Sequence, residues 1–140
     1  MHVRDAVEAD AAALATIADT PTEAMRSVIH DRTVYVALDD SPADPGEEET
    51  DPDDVLGFLS FDARDGTVHV TQFGGARDVC ARLLEEPLRF ASSEAMGVEL
   101  LVLDGEDEMR EAAESAGFHR VGTGPRFEGE QTTRYRLEAP

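Results

Sequence analysis

The stretch Thr67-Val68-His69-Val70-Thr71-Gln72-Phe73-Gly74-Gly75-Ala76-Arg77-Asp78-Val79-Cys80-Ala81-Arg82-Leu83-Leu84 changes period in its middle, and that change decides the architecture. Up to Phe73 the residues are rich in β-branched and aromatic types and alternate, the pattern of a strand with one face buried. The paired glycines break it. From about Ala76 the apolar residues Val79, Cys80, Leu83 and Leu84 recur at helical spacing, continuing through Leu88 and Ala91. Pro87 lies inside that helix and, lacking an amide donor, is expected to kink it or split it in two. Val98 to Leu103 follows as an unbroken apolar run, the sort of strand buried on both faces of a sheet. A strand, a helix and a second buried strand make a crossover whose strands lie parallel.

Working outward, His2 to Val7 reads as a strand with Val3 buried, and Glu8 to Asp19 as a helix with Leu14, Ile17 and Ala18 inward. Thr20-Pro21-Thr22-Glu23 has the form of a helix start: Thr20 as N-cap, Pro21 in the first turn, Glu23 closing a capping box. Met25, Val28 and Ile29 give that short helix its inward face, and Thr33 to Leu38 is a strand. Val55 to Phe61 pairs with Thr67 to Phe73 across residues 62–66, where Asp65-Gly66 supplies the positive φ of a tight hairpin. Downstream, Glu106 to Ala116 is a helix with Met109, Ala112, Ala113 and Ala116 inward and Gly117 as C-cap. Phe118 to Val121 and Thr132 to Leu137 complete the set. This order predicts an α/β fold with a mixed, mostly antiparallel sheet of about seven strands, a parallel pair and flanking helices.

A length of 140 residues gives one domain, 1–140. Acids outnumber bases 31 to 12, every base is Arg, and the net charge is -19. Such a surface argues against nucleic acid and anionic membranes as partners, because both are bound through cationic side chains. No apolar run approaches the ~20 residues of a membrane span, and no basic stretch followed by an apolar one reads as an export signal. The lone Cys80 has no disulfide partner and no Cys/His cluster has zinc spacing, so no metal site is expected and a reduced cytoplasm suits the chain. Residues 39–54 hold nine acids and three prolines with almost nothing to bury, and read as a solvated insertion. The uncompensated charge is self-repelling in dilute buffer, whereas at 1 M salt the Debye length falls to roughly 3 Å. Acidity without Lys is therefore the composition expected of a protein adapted to a salt-rich cytoplasm.

Three segments resemble the acetyl-CoA-dependent N-acetyltransferase (GNAT) superfamily. Val3-Arg4-Asp5-Ala6-Val7-Glu8-Ala9-Asp10-Ala11 is similar to that family's opening strand and acidic lead into a helix. Glu111-Ala112-Ala113-Glu114-Ser115-Ala116-Gly117-Phe118-His119-Arg120-Val121-Gly122 resembles its closing helix, "GF" turn and following strand. The strand ending at Phe73, its glycines and the Leu83-Leu84 helix resemble its cofactor motif. The resemblance implies a splay between the two parallel strands. It also implies acetyl-CoA as co-substrate, with the pantetheine arm along Val70, Thr71, Gln72 and Phe73. The diphosphate would rest on the segment Gly74, Gly75, Ala76, Arg77, Asp78, Val79 and Cys80. A helix start that follows glycines suits an anion on physical grounds as well. The reaction implied is acetyl transfer to the primary amine of a small molecule or peptide, and an acidic rim would attract a cationic amine. A homodimer is left open.

Two departures qualify this. Aligned on Leu83-Leu84, Gly75 stands at the family's Gln/Arg position, Asp78 at its first phosphate-loop glycine and Cys80 at its Gly/Ala. A carboxylate at ~5 Å from a phosphate costs about 3 kcal/mol per charge at an effective dielectric near 20. The helix dipole returns only about 0.3–1 kcal/mol, unless salt and Arg77 shift the balance. Aligned on Gly117-Phe118, the family's frequent Tyr falls at Ala113, so no hydroxyl stands ready to protonate a thiolate. A GNAT-like binding or regulatory domain without turnover is the alternative. His69, whose ordinary pKa lies near neutrality, is the candidate base, with a satisfied sheet histidine as the rival role. Tyr35, Tyr135 and Cys80 read as core or strand-face residues, and His119 as surface.

The charge makes a first prediction. The thermal midpoint, followed by circular dichroism, rises steadily as KCl is raised from dilute buffer to molar concentration; a midpoint insensitive to salt would remove the adaptation argument.

Overall fold

The structure, a computed structural model, describes residues 1–39, 54–126 and 129–138. Its sheet runs in the order β1 (His2–Asp5), β2 (Thr33–Leu38), β3 (Val55–Arg64), β4 (Thr67–Gly75), β5 (Gly97–Leu103), β7 (Thr132–Leu137), β6 (His119–Thr123). Every neighbouring pair is antiparallel except β4 with β5. Helices α1 (Ala11–Ala18) and α2 (Thr22–Asp31) lie on one face, α3 (Arg77–Glu94) and α4 (Asp107–Ser115) on the other. The mixed seven-stranded sheet with one parallel pair is the arrangement read from the sequence.

Strand alternation divides the core in two. Leu59, Phe61, Val68, Val70, Val98, Leu100 and Val102 meet Val79, Cys80, Leu83, Leu84, Ala112 and Ala113 on the α3–α4 face. Val34, Val36 and Phe58 meet Leu14, Ala15 and Met25 on the α1–α2 face. The second layer covers β2 and β3 but leaves the same face of β5 and β7 accessible, and Leu101 is 45% exposed there. The expectation that Val98–Leu103 is buried on both faces therefore fails: the strand alternates, with Glu99 and Leu103 only partly buried and Leu101 exposed on its outward side.

Other boundaries shift for local reasons. The first strand ends at Asp5, and a 3-10 turn at Glu8–Asp10 precedes α1. Along α1 the inward stripe is Ala11, Leu14, Ala15 and Ala18; Ile17 lies off it and is 43% exposed. Thr20 does not cap α2. Its amide donates to Ala15 O at 3.0 Å, closing α1 beyond the left-handed Asp19, so the N-cap falls on Pro21 and Glu23 pairs with Arg26 instead. The hairpin is tighter than read, with β3 and β4 paired up to Arg64↔Thr67 and Asp65 and Gly66 at φ 53° and 77°. Pro87 neither splits nor ends α3, which runs unbroken from Arg77 to Glu94 with Pro87 buried inside it. Gly117 does close the last helix: at φ 102° it lets Phe118 N donate to Ala113 O at 3.0 Å.

The acidic insertion lies outside the described residues save for its ends, where Asp39 N donates to Asp54 O at 2.9 Å. Among the described residues no helix is long and apolar enough to cross a membrane.

Near the amino terminus a half-buried Arg4 pairs with a buried Asp10 and ties β1 to the start of α1. Asp10 is 0% exposed, receives Arg4 Nη1 and Nη2 at 2.8 and 2.9 Å, and also accepts from Val7 N at 2.8 Å. This two-pronged geometry accounts for an Arg and an acid six residues apart in the opening segment. Removing the arginine strands a desolvated carboxylate, so Arg4→Ala is expected to lower stability by about 3 kcal/mol. Asp10→Asn in that background recovers part of the loss in denaturant unfolding; no recovery would show that the pair is not the cause.

Candidate functional site

The centre of the molecule is shaped by one extra residue. Ser60 faces Gln72 and Phe61 faces Val70, so Thr71 is a β-bulge in β4. It is held by Ser60, whose buried hydroxyl shares a 2.7 Å hydrogen bond with Thr71 Oγ1, while Thr71 Oγ1 donates to Ser60 O at 3.2 Å. Regular alternation puts Phe73 with His69 and Gln72 with Val70. The bulge reverses this: Phe73 packs with Val68 and Val70 on the α3 face, and Gln72 joins His69 on the other. The Gln72 Oε1 atom is buried without a hydrogen-bond partner.

At the same point the parallel ladder stops. β4 and β5 pair from Thr67↔Gly97 to Val70↔Leu100 and no further. Beyond it β4 keeps its place beside β3 as far as Gly75, and β5 keeps its place beside β7 as far as Leu103. The strands splay, and among the described residues no strand pairs with the β5-facing edge of Thr71–Gly75.

Gly74 and Gly75 do not break the strand, as read from the sequence; they pair with Phe58 and Gly57 at its end. Gly75, at φ 140°, turns the chain into α3, and a Cβ on Gly57 would run into Gly74 O and come within 2.9 Å of Val79 Cγ1. Two glycines thus let the start of α3 lie against the end of the sheet. The N-cap Ala76 is extended and brings no side-chain cap, and Cys80 N is the first amide bonded within the helix, to Ala76 O at 2.8 Å. The amides of Arg77, Asp78 and Val79 are left at the positive end of an 18-residue helix. Asp78 is exposed in this first turn, and Arg77 reaches Glu111 on α4 at 3.3 Å. Cys80 is fully buried and its thiol donates to Gly75 O at 3.3 Å. Burial, with Glu108, Asp78 and Glu106 nearby, pushes its pKa up from 9.0 to about 12.

On the opposite face a cleft of about 490 Å³ opens at the foot of the splay, lined by Arg32, Arg64, His69, Glu99, Leu101 and Arg134 together with Val70, Thr71, Leu100 and Pro125. His69 sits directly across from Asp62 on β3 and Glu99 on β5. The arginines escaped the sequence reading because they are remote in the chain. The one signal available was the alternation Arg134-Tyr135-Arg136, which puts both arginines opposite the core-facing Tyr135. The acidic rim expected from composition is absent from this lining, which is mainly basic.

Ala113 is fully buried against the core. Neither tyrosine lines the cleft. Tyr135 is buried with its OH donating to Glu114 Oε1 at 3.5 Å, and Tyr35 stacks on Phe61 with ring centroids 6.3 Å apart. Burial raises the pKa of both. His119 is exposed. Among the described residues no three His, Cys, Asp or Glu side chains are grouped to hold a metal.

A sheet splayed at its parallel pair, with the crossover helix starting at the open end, is the fold of the GNAT acyl-CoA N-acyltransferases, and known structures agree. NAA60 of Arabidopsis thaliana, in complex with a bisubstrate analogue, superposes with a TM-score of 0.76 at 17% identity, covering 97% of this chain and 96% of that one. The yncA protein of Salmonella typhimurium, with its cofactor acetyl-CoA, gives 0.75 at 16% identity over 99% and 93%. Ribosomal-protein-alanine N-acetyltransferase from Brucella melitensis gives 0.72 at 17% identity over 99% of both chains. No family model and no curated protein matches the sequence. Identities this low carry the fold alone.

The buried thiol yields a prediction. With its pKa about 12, only roughly one Cys80 in ten thousand is thiolate at pH 8, so iodoacetamide labels the protein only after unfolding. The unfolded thiol ionises near its ordinary value, so stability is lost as pH rises from about 9 toward 12. Rapid native labelling at pH 8, read by mass spectrometry, would contradict the placement.

Proposed function

We propose that the protein is an N-acetyltransferase that moves an acetyl group from acetyl-CoA to a primary amine of a small molecule or peptide. The observation that supports this most is the adjacency of two backbone features: the edge of Thr71–Gly74, which β5 does not pair, and the first amides of α3, which no side chain caps. The first suits the amide-bearing pantetheine arm and the second a diphosphate. Residues Val70 to Phe73 would hold the arm, and Gly74 to Cys80 the phosphates, with Arg77 as a neighbouring cation. Within that segment Cys80 would serve by its small size and its backbone, since its thiol is engaged with Gly75.

Acetyl-CoA supplies an activated thioester; the rest falls to the chain. His69, on the face opposite α3, would take the proton from the acceptor ammonium so that its lone pair can attack. Backbone N–H groups of the bulged stretch would hold the negative charge that develops on the acetyl oxygen, without side-chain reorganisation. With Ala113 in place of a hydroxyl, the departing thiolate would take its proton from water. We place this activity in the cytoplasm.

Asp78 and Ala113 favour a second reading, a binding or regulatory domain that has kept the shape and lost turnover. One experiment separates the two. In molar KCl, acetyl-CoA at millimolar concentration is expected to raise the thermal midpoint, and an amine panel to release free CoA. Binding without release supports the second reading, and no binding removes the first. Asp78→Gly should tighten acetyl-CoA binding about fivefold at high salt, where screening has reduced the carboxylate's repulsion. Unchanged affinity would mean that Asp78 faces away from the phosphates.

A further inference from the structure

The cleft on the open face carries a charge pattern that composition does not explain. A lining drawn in the chain's proportions of 31 acids to 12 bases would be mostly acidic. This one sets Arg32, Arg64, Arg134 and His69 against the single acid Glu99. The arginines arrive from three separate places: the α2–β2 junction, the β3–β4 hairpin and β7.

Glu99 cannot cancel them all. It is shared by two arginines, its Oε2 lying 2.7 Å from Arg136 Nη1 and its Oε1 3.7 Å from Arg134 Nε, so one negative charge answers two positive ones. Arg64 meets Asp62 at 3.4 Å in a solvated pair of little strength. The Arg32 guanidinium meets no acid among the described residues, in a chain of net charge -19. Exposed Leu101 supplies an apolar wall beside these cations, and His69 lies among them.

We propose that this cleft receives the acetyl acceptor and that the acceptor is a small amine bearing a carboxylate. The inference rests on the transferase reading and names its substrate class. A planar guanidinium fork matches a carboxylate in two-point geometry. The cleft volume is that of a small-molecule site. The carboxylate sits on Arg32 and Arg134, the carbon chain lies along Leu101, and the amine is left toward His69. Salt reconciles this with the overall charge. In dilute buffer the molecule's own field repels an anion, whereas molar salt screens that field and leaves direct contacts in place.

Three amines of matched length test it: 4-aminobutyrate, butylamine and putrescine, which differ in bearing an anion, no charge or a second cation. Ligand-observed NMR in about 2 M KCl, without acetyl-CoA, is expected to show 4-aminobutyrate bound about tenfold more tightly than the other two. Arg32→Gln and Arg134→Gln each abolish that preference, while Arg89→Gln, remote on α3, leaves it intact. Equal or tighter binding of putrescine or butylamine, or a preference that survives both cleft variants, overturns the proposal. The two readings fail separately. Acetyl-CoA binding and putrescine acetylation that the cleft variants leave unchanged would retain the transferase and discard the carboxylate acceptor. The expected preference without any acetyl-CoA binding would retain the carboxylate site and discard the transferase.

Discussion

The molecule depends on a failure of strand pairing at one place. Four residue pairs join β4 to β5, and then Thr71 intrudes. An extra residue raises local twist and bends its strand, and here the bend carries β4 away from β5 while β3 follows it. The bulge is stabilised by two hydroxyls, Ser60 and Thr71, each satisfying the other in a place where a lone buried polar group would be costly. Opening the sheet in this way is tolerable because α3 packs across β2, β3, β4 and β5 and so spans the split, while α1 and α2 cover β2 and β3 from the other face. The unpaired edge of β4, the start of α3 and the cleft all border the gap that results.

Charge is distributed with more discrimination than the composition suggests. The total of -19 describes a solvated exterior, yet the buried or enclosed charges are arranged in pairs or with the opposite sign in excess. Asp10 is locked to Arg4, Glu99 is shared by Arg136 and Arg134, and the cleft that Glu99 lines is mainly basic. Arginine is well suited to this role, since its weakly hydrated fork holds an oxyanion at short range when salt has removed long-range attraction.

Much of the architecture could be read from local chemistry. Asp65-Gly66 specified its turn, Gly117 its helix end, and the change of period after Phe73 the crossover helix, because each of these is decided by a few neighbouring residues. What escaped was decided by distant ones. Strict alternation cannot register a bulge, so Phe73 and Gln72 were assigned to each other's faces. Ile17 and Leu101 are apolar, as buried residues usually are, but whether a partner lies above them depends on where α1 turns and where the helix layer stops. Thr20 has the right chemistry for a cap, and its backbone was drawn instead into ending the previous helix. The arginines of the cleft, residues 32, 64 and 134, line one space only once strands distant in the chain are laid into one sheet.

The bond from Asp39 to Asp54 has a separate consequence. It joins the ends of two strands that are already paired, so the segment between them closes a loop whose mouth the sheet holds shut. Doubling the length of such a loop costs only about 0.6 kcal/mol of closure entropy. Lengthening, trimming or recharging that stretch would therefore cost the core little, so the solution charge of the molecule can be altered there independently of its packing.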